Sequence, residues 1–338
     1  MEDYTEEEDT RLIEGTELEE DVSFDRTLRP KHLSQFIGQE HIKEPLMISI
    51  EAAKHRKEPM EHALLYGNPG LGKTTLASII AKEMDANIKV TAGPALARVG
   101  DLAAILSNLS AGDVLFIDEI HRVNTSIEEV LYTAMEDFAI DIIVGKGPAA
   151  RTLRMSVEPF TLIGATTKLN MLSSPMRDRF GHVFHLNFYS NENLKEIVER
   201  NANLLGIDIH NEASELIGSR SRRTPRIANR LLRRVRDFAQ VKSDGDITVE
   251  TTNAALKMLQ VDNHGLDPVD RKLLLHIINK FKGGPVGLST LAAAIAEDIH
   301  TIETIYEPYL LQIGMLERTP RGRKVTALAK EHLKQDIH

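Results

Sequence analysis

The chain of 338 residues is 42% hydrophobic and 27% charged, which fits a soluble globular protein long enough for two or three domains. It has no cysteine, which excludes a disulfide framework and a thiolate zinc site and fits a reducing, cytoplasmic compartment. The net charge of −9 sits in the head: residues 1–21 carry eleven carboxylates against Arg11, so the remainder is close to neutral and can meet nucleic acid through basic clusters at 220–236 and 318–334.

In chain order, residues 1–22 read as an acidic, disordered tail. No basic n-region opens the chain and roughly 18 apolar residues nowhere run together, so no membrane partner is expected. From about 23 to 187, strand-like runs alternate with helical stretches: ALLYG (63–67), IKVTA (88–92), DVLFID (113–118) and FTLIGATT (160–167). That alternation predicts an α/β large domain with a doubly wound parallel sheet. AIDIIVG (139–145) and RTLRMSV (151–157) predict a β-hairpin inserted at 139–157, with Ile140, Ile142 and Val144 on one face. In isolation such an aliphatic face reads as core packing.

Over 188–262 the strand signals stop. One helical face carries Leu194, Ile197, Val198 and Leu205, and a second carries Ile227, Leu231, Val235 and Phe238, which predicts an all-α lid. Thr224 and Pro225 supply an N-cap and first-turn proline for that second helix. Residues 263–338 predict three helices followed by a hairpin, MLERTPRGRKVTA, with a Pro-Arg-Gly turn: a winged helix.

GNPGLGKT (67–74) follows a strand and opens a helix, and it matches G-x-x-x-x-G-K-[ST] at every fixed position. The residues Gly67, Gly70, Leu71, Gly72, Lys73, Thr74 and Thr75 place inward-turned backbone N–H groups and a helix N-terminus around phosphate. Lys73 is expected to reach the β- and γ-phosphates of ATP, and Thr74 to ligate Mg²⁺. VLFIDE (114–119) ends an apolar strand with paired carboxylates, Asp118 facing the metal and Glu119 polarising the attacking water. At the end of the next strand, Thr166 and Thr167 can present a hydroxyl to the γ-phosphate. His121 reads as a packing or helix-start residue and is given no catalytic role. SSPMRDRFG (173–181) sets Arg177 and Arg179 one residue apart on a loop, where two arginines are ordinarily solvated charge.

GNPGLGKT, LFIDEIHR, TLIGATT, RDRFG, TPRIANRLLRRVRDFA, GGPVGL, EPYL and RTPRGR occur in the order found in the RuvB family of AAA+ ATPases, and over residues 23–334 the chain resembles those bacterial Holliday-junction branch-migration motors. The resemblance implies an AAA+ large domain, a lid and a DNA-touching winged helix, assembled as a homohexamer. It implies four-way junction and duplex DNA as substrate, a junction-binding partner (RuvA-like) and a junction-resolving nuclease. It also places Leu28, Arg29, Pro30, Ile37 and Tyr189 about the adenine, and Glu136, Asp137 and Phe138 beside nucleotide. The strand ending in Thr166 and Thr167 corresponds to the first-sensor strand, and Arg226 becomes the second sensor, a lid arginine reading the γ-phosphate. Arg179 becomes a finger acting in the neighbouring subunit, with Arg177 at the interface. Ile142 and Val144 would dock the partner protein, and Arg318, Arg321 and Arg323 would contact DNA phosphates. Three positions depart from the family pattern: Asn68 stands where Pro is common, Arg223 where Gly is common, and Lys168 where Arg is usual. A clamp-loader-like assembly ATPase and a nucleotide-switched winged-helix regulator are the competing readings. The first would need a helical collar in place of the wing, and the second has no use for Glu119 with Arg179.

Overall fold

A computed structural model describes residues 27–144 and 151–335. The acidic tail lies outside the described residues, as do the hairpin tip and the last three positions. The described residues separate into two compact units, one built on Arg29–Gly67 and Gly72–Asn187, the other on Phe188 onwards together with Leu28 and Asn68–Leu71.

The strands of the first unit are β1 (Ala63–Tyr66), β2 (Ile88–Ala92), β3 (Val114–Asp118), β4 (Ala139–Val144), β5 (Arg151–Ser156), β6 (Thr161–Thr166) and β7 (His182–His185). Its helices are α1 (Glu40–Arg56), α2 (Lys73–Glu83), α3 (Val99–Ser107), α4 (Thr125–Asp137) and α5 (Ser174–Arg177). Five strands form one parallel sheet in the order β2-β3-β6-β1-β7. All six residues of β6 are buried, as a strand covered on both faces must be, and this is why it reads as a continuous apolar run. β7 was not anticipated: HVFH is short and polar-looking because it is an edge strand in which Phe184 alone is buried. Leu115, Ile117 and Leu162 pack with Leu102 and Leu106 of α3 and Ile127 and Leu131 of α4 in the main core.

The inserted hairpin pairs β4 with β5 antiparallel and sets Ile142 opposite Leu153. Ile140 is fully buried and Ile142 packs partly against the core, whereas Leu153 is 52% exposed. The base of the hairpin therefore belongs to the core and only its outer part offers apolar surface. For Val144 the described backbone places it opposite Arg151.

In the second unit the lid helices are α6 (Asn191–Leu205), α7 (Asn211–Arg220), α8 (Pro225–Lys242) and α9 (Val249–Met258). The predicted stripes face inward: Leu194, Ile197, Val198, Ile227, Leu231 and Val235 are buried, and Leu205 and Phe238, towards the helix ends, are half-buried. Pro225 opens α8 as expected, but the Thr224 hydroxyl makes no N-cap bond and lies 3.4 Å from the Ser221 carbonyl instead. The winged helix follows as α10 (Pro268–Lys280), α11 (Leu288–Ile295), α12 (Ile299–Thr301), a π turn over Ile302–Tyr306, α13 (Glu307–Gln312), β8 (Leu316–Thr319), β9 (Gly322–Val325) and α14 (Ala327–Gln335). Pro308, with no N–H to give, sits where the π turn hands over to α13. No described helix is long and apolar enough to cross a membrane.

Lid and winged helix cohere through a buried ion pair. The Arg222 guanidinium donates to Asp270 and, at 3.1 Å, to the Ile305 carbonyl, and it lies 4.8 Å from the Tyr309 ring centroid. Burial pushes the Asp270 carboxyl well above its ordinary range, against the pull of Arg222. Burial likewise raises the Tyr309 hydroxyl to about 12, and that hydroxyl donates to the His264 carbonyl at 2.6 Å.

Candidate functional site

The strand order makes β3, β6 and β1 neighbours, so their C-terminal ends form one edge carrying Asp118 and Glu119, Thr166 and Thr167, and Gly67. Ligands of open parallel sheets bind at such an edge. The Gly67 N–H donates to the Thr166 carbonyl at 3.2 Å, tying the start of the loop to β6. Gly72, at φ +97°, is the left-handed residue from which α2 starts, so Lys73, Thr74 and Thr75 make its first turn with their N–H groups directed outward. Gly70 is also left-handed, and a Cβ there would lie 3.1 Å from the Arg226 Cβ, so the close approach needs glycine. Lys73 is buried, and its ammonium donates to the Gly67 carbonyl at 2.8 Å, inside the turn of the loop.

At the end of β3 the Glu119 backbone is left-handed, φ +50°, and its N–H donates to Asp118 Oδ1 at 2.9 Å. A non-glycine residue held there stores strain at the point where chemistry is expected. His121, only 3% exposed at its side chain, sets Nε2 3.4 Å from Glu119 Oε2. Its Nδ1 shares a hydrogen with Thr166 Oγ1 at 2.8 Å. The imidazole thus links the Asp-Glu turn to β6. Its burial in the short 3-10 turn after Glu119 agrees with its reading as a packing and helix-start residue. The same bond separates the two threonines. Thr166 is buried and engaged by His121 and the Lys168 N–H, whereas Thr167 lies half-buried just past the strand end.

In the second unit, Tyr189 is buried; its hydroxyl donates to the Leu71 carbonyl at 3.2 Å, and its N–H donates to the Arg223 carbonyl at 3.0 Å. Arg226 approaches Gly70 through its own N–H, 3.4 Å from that carbonyl. A small cleft of about 50 Å³ is lined by Asn68, Gly70, Arg226 and Ile227 and also by Arg222 and Tyr309, so loop tip, lid and winged helix share one cavity. Arg223 has φ +56°, directly after Arg222 at +50°. The glycine expected there is a conformational requirement that this chain meets with arginine. Leu28 is buried, with its carbonyl accepting from Arg200 at 2.9 Å. Arg29, Pro30 and Ile37 are half-buried in the first unit.

Family models cover nearly the whole described chain. Residues 28–186 match the P-loop domain of the Holliday junction DNA helicase RuvB, 189–262 the RuvB AAA lid domain, and 263–334 the RuvB C-terminal winged helix domain. The chain belongs to the RuvB family. It is accordingly an ATP-driven AAA+ ATPase of the Holliday junction branch-migration class. Among solved structures it is similar to the Thermotoga maritima RuvB Holliday junction branch migration motor: 51% identity, 91% of this chain and 98% of that one covered, TM-score 0.83. Two point mutants of Thermotoga maritima RuvB are each 52% identical, with TM-scores of 0.85 and 0.84. They cover 91% and 90% of this chain, and 98% of each is matched.

Arg179 follows α5, with NH1 donating to the Pro175 carbonyl at 2.8 Å and NH2 3.1 Å from Glu136. Asp137 pairs with Arg154 of the hairpin at 2.7 Å, and Phe138 meets the Phe160 ring edge-on. The Glu136–Phe138 segment thus joins the arginine loop to the hairpin base. Arg177 bonds the hydroxyl of Ser174 at 3.0 Å. On the wing, Glu307 is 1% exposed and takes Arg318 at 2.8 Å and Arg323 at 2.9 Å. Arg321, at the turn, is exposed.

Proposed function

We propose that the chain works in the cytoplasm as a homohexameric ring that moves four-way junction and duplex DNA, together with a RuvA-like junction-binding protein and a junction-resolving nuclease. Thr74 and Asp118 offer a hydroxyl and a carboxylate, the hard oxygen donors Mg²⁺ takes alongside phosphate and water. Bound there, Mg²⁺ would neutralise charge on the phosphate oxygens. Lys73 exchanges the Gly67 carbonyl for the β- and γ-phosphates of ATP. Glu119 accepts a hydrogen bond from the lytic water, with His121 steadying its carboxylate, and Thr167 contacts the γ-phosphate. Arg179 of one subunit supplies planar donors to the phosphoryl group held by its neighbour. Arg226 loses its partner charge when the γ-phosphate leaves, and the lid follows. By the family resemblance, Leu28, Arg29, Pro30, Ile37 and Tyr189 are the residues that serve the nucleotide base.

The observation that carries this reading is the meeting of Lys73, Asp118, Glu119 and the two threonines at one edge of β1, β3 and β6. Arg321 at the wing turn supports contact with DNA phosphates, which serves a motor indifferent to sequence. The exposed Leu153, opposite Ile142, supports the reading of this hairpin, with Ile142 and Val144, as a partner surface. The test is steady-state ATPase and migration of a labelled four-way junction, with and without the junction-binding partner. Turnover stimulated by junction and partner, coupled to strand exchange, is expected. ATP binding without turnover, or turnover indifferent to junction DNA, would overturn the reading.

A further inference from the structure

Arg179 is restrained more fully than a surface arginine needs to be. NH1 and NH2 are engaged by Pro175 and Glu136, Nε is buried with no hydrogen-bond partner, and the guanidinium carbon lies 4.4 Å from the Tyr132 ring centroid. The ring is itself tied down. The Tyr132 hydroxyl donates to Glu128 Oε1 at 2.8 Å and lies 3.0 Å from Ser173 Oγ. Ser173 also donates to Glu128, and it caps α5 by accepting from the Met176 N–H at 3.2 Å. Glu128, Tyr132 and Glu136 recur every fourth residue on α4, so one helix face presents carboxylate, ring, carboxylate in a row. One knot of hydroxyls and a carboxylate therefore joins α4 to the start of the segment that carries Arg179.

We propose that Tyr132 is the positioning residue of Arg179. A long side chain must be aimed before it can meet a phosphoryl group in another subunit, and misplacement by about 1 Å can cost roughly 100-fold in rate. An aromatic face sets the plane of a guanidinium while leaving its in-plane donors free. Glu136 holds the outer edge of the guanidinium, the edge a phosphate would take. An exposed ion pair of this kind is weak, so phosphate oxygens displace it while the ring and the Pro175 carbonyl keep the aim. The inference rests on the reading of Arg179 as a finger serving the neighbouring subunit.

The test compares wild type, Tyr132→Phe, Tyr132→Leu, Arg179→Ala and the Tyr132→Leu/Arg179→Ala double variant. Each is measured for kcat and KM on ATP with junction DNA, and for affinity towards a fluorescent ADP. Tyr132→Leu should lower kcat roughly 10–100-fold with ADP affinity unchanged, and Tyr132→Phe, which keeps the ring, should retain most of the turnover. The double variant should be no slower than Arg179→Ala alone. Mixed with Lys73→Ala subunits, Tyr132→Leu should regain turnover, because its own P-loop is intact. If Leu lowers the melting temperature, Tyr132→Met, similar in volume but without a π face, is read in its place. Wild-type kcat in Tyr132→Leu, a Phe variant as slow as Leu, or a double variant slower by the product of both losses overturns the inference while the finger stands. Wild-type turnover in Arg179→Ala overturns the finger itself, and the inference with it.

Discussion

The sheet edge and the seam between lid and winged helix use charged side chains in opposite ways. At the edge, Asp118 and Glu119 sit at a strained turn, and Glu119 is 30% exposed with only a long contact to His121. At the seam, Arg222 and Asp270 are enclosed, bonded to each other and flanked by Tyr306 and Tyr309. The edge carboxylates flank a left-handed backbone and remain half-buried. Groups that hold two domains together are desolvated, and their value lies in what it costs to break them.

The largest expected effect is at the seam. Arg222→Ala leaves Asp270 buried without its counter-ion and should cost about 3–5 kcal/mol of unfolding free energy, read by urea denaturation of the lid and winged helix. A loss under about 1 kcal/mol would place the pair with surface ion pairs and remove the contrast. At the edge the expectation inverts. Glu119→Gln should lose at least about 100-fold in kcat, the range for a positioned acid–base group, with ATP affinity and melting temperature near wild type. Near-normal hydrolysis would end its assignment.

The wing sharpens the comparison because it holds both kinds of arginine. Arg321→Ala should weaken duplex binding evenly across sequences and lower the salt slope by about one, with no loss of stability. Arg323→Ala should show chiefly as lost stability, since Glu307 is buried and would keep only Arg318. If Arg323→Ala affects DNA binding alone, the ion pair with Glu307 is not what holds the wing. The smallest effect belongs to Arg223. Glycine there relieves a left-handed backbone and should raise stability by about 1 kcal/mol, visible as a small upward shift in melting temperature. A decrease would mean that the Arg223 side chain holds the lid turn.

Much of the fold was open to reading because parallel strands buried on both faces must be nearly all apolar, as β3 and β6 are. The P-loop was legible for a related reason: its turn needs glycine at Gly70 and Gly72 and a cation at Lys73 in immediate succession. β7 escaped because an edge strand can be polar on its open side. The wing showed four positive side chains, but not that Glu307, 11 residues before Arg318 and 16 before Arg323, would claim two of them.

By itself, then, the sequence determined what is local: the phosphate loop, the Asp-Glu turn, the helical stripes and the order of domains. Each follows from backbone geometry or periodicity within a dozen residues. Only the tertiary structure decided which polar groups find each other: Arg222 with Asp270 across 48 residues, His121 with Thr166 across 45, and Arg179 with Glu136 across 43. No local pattern encodes such pairs. They form because buried or half-buried polar groups must find partners among whatever the packed elements bring near.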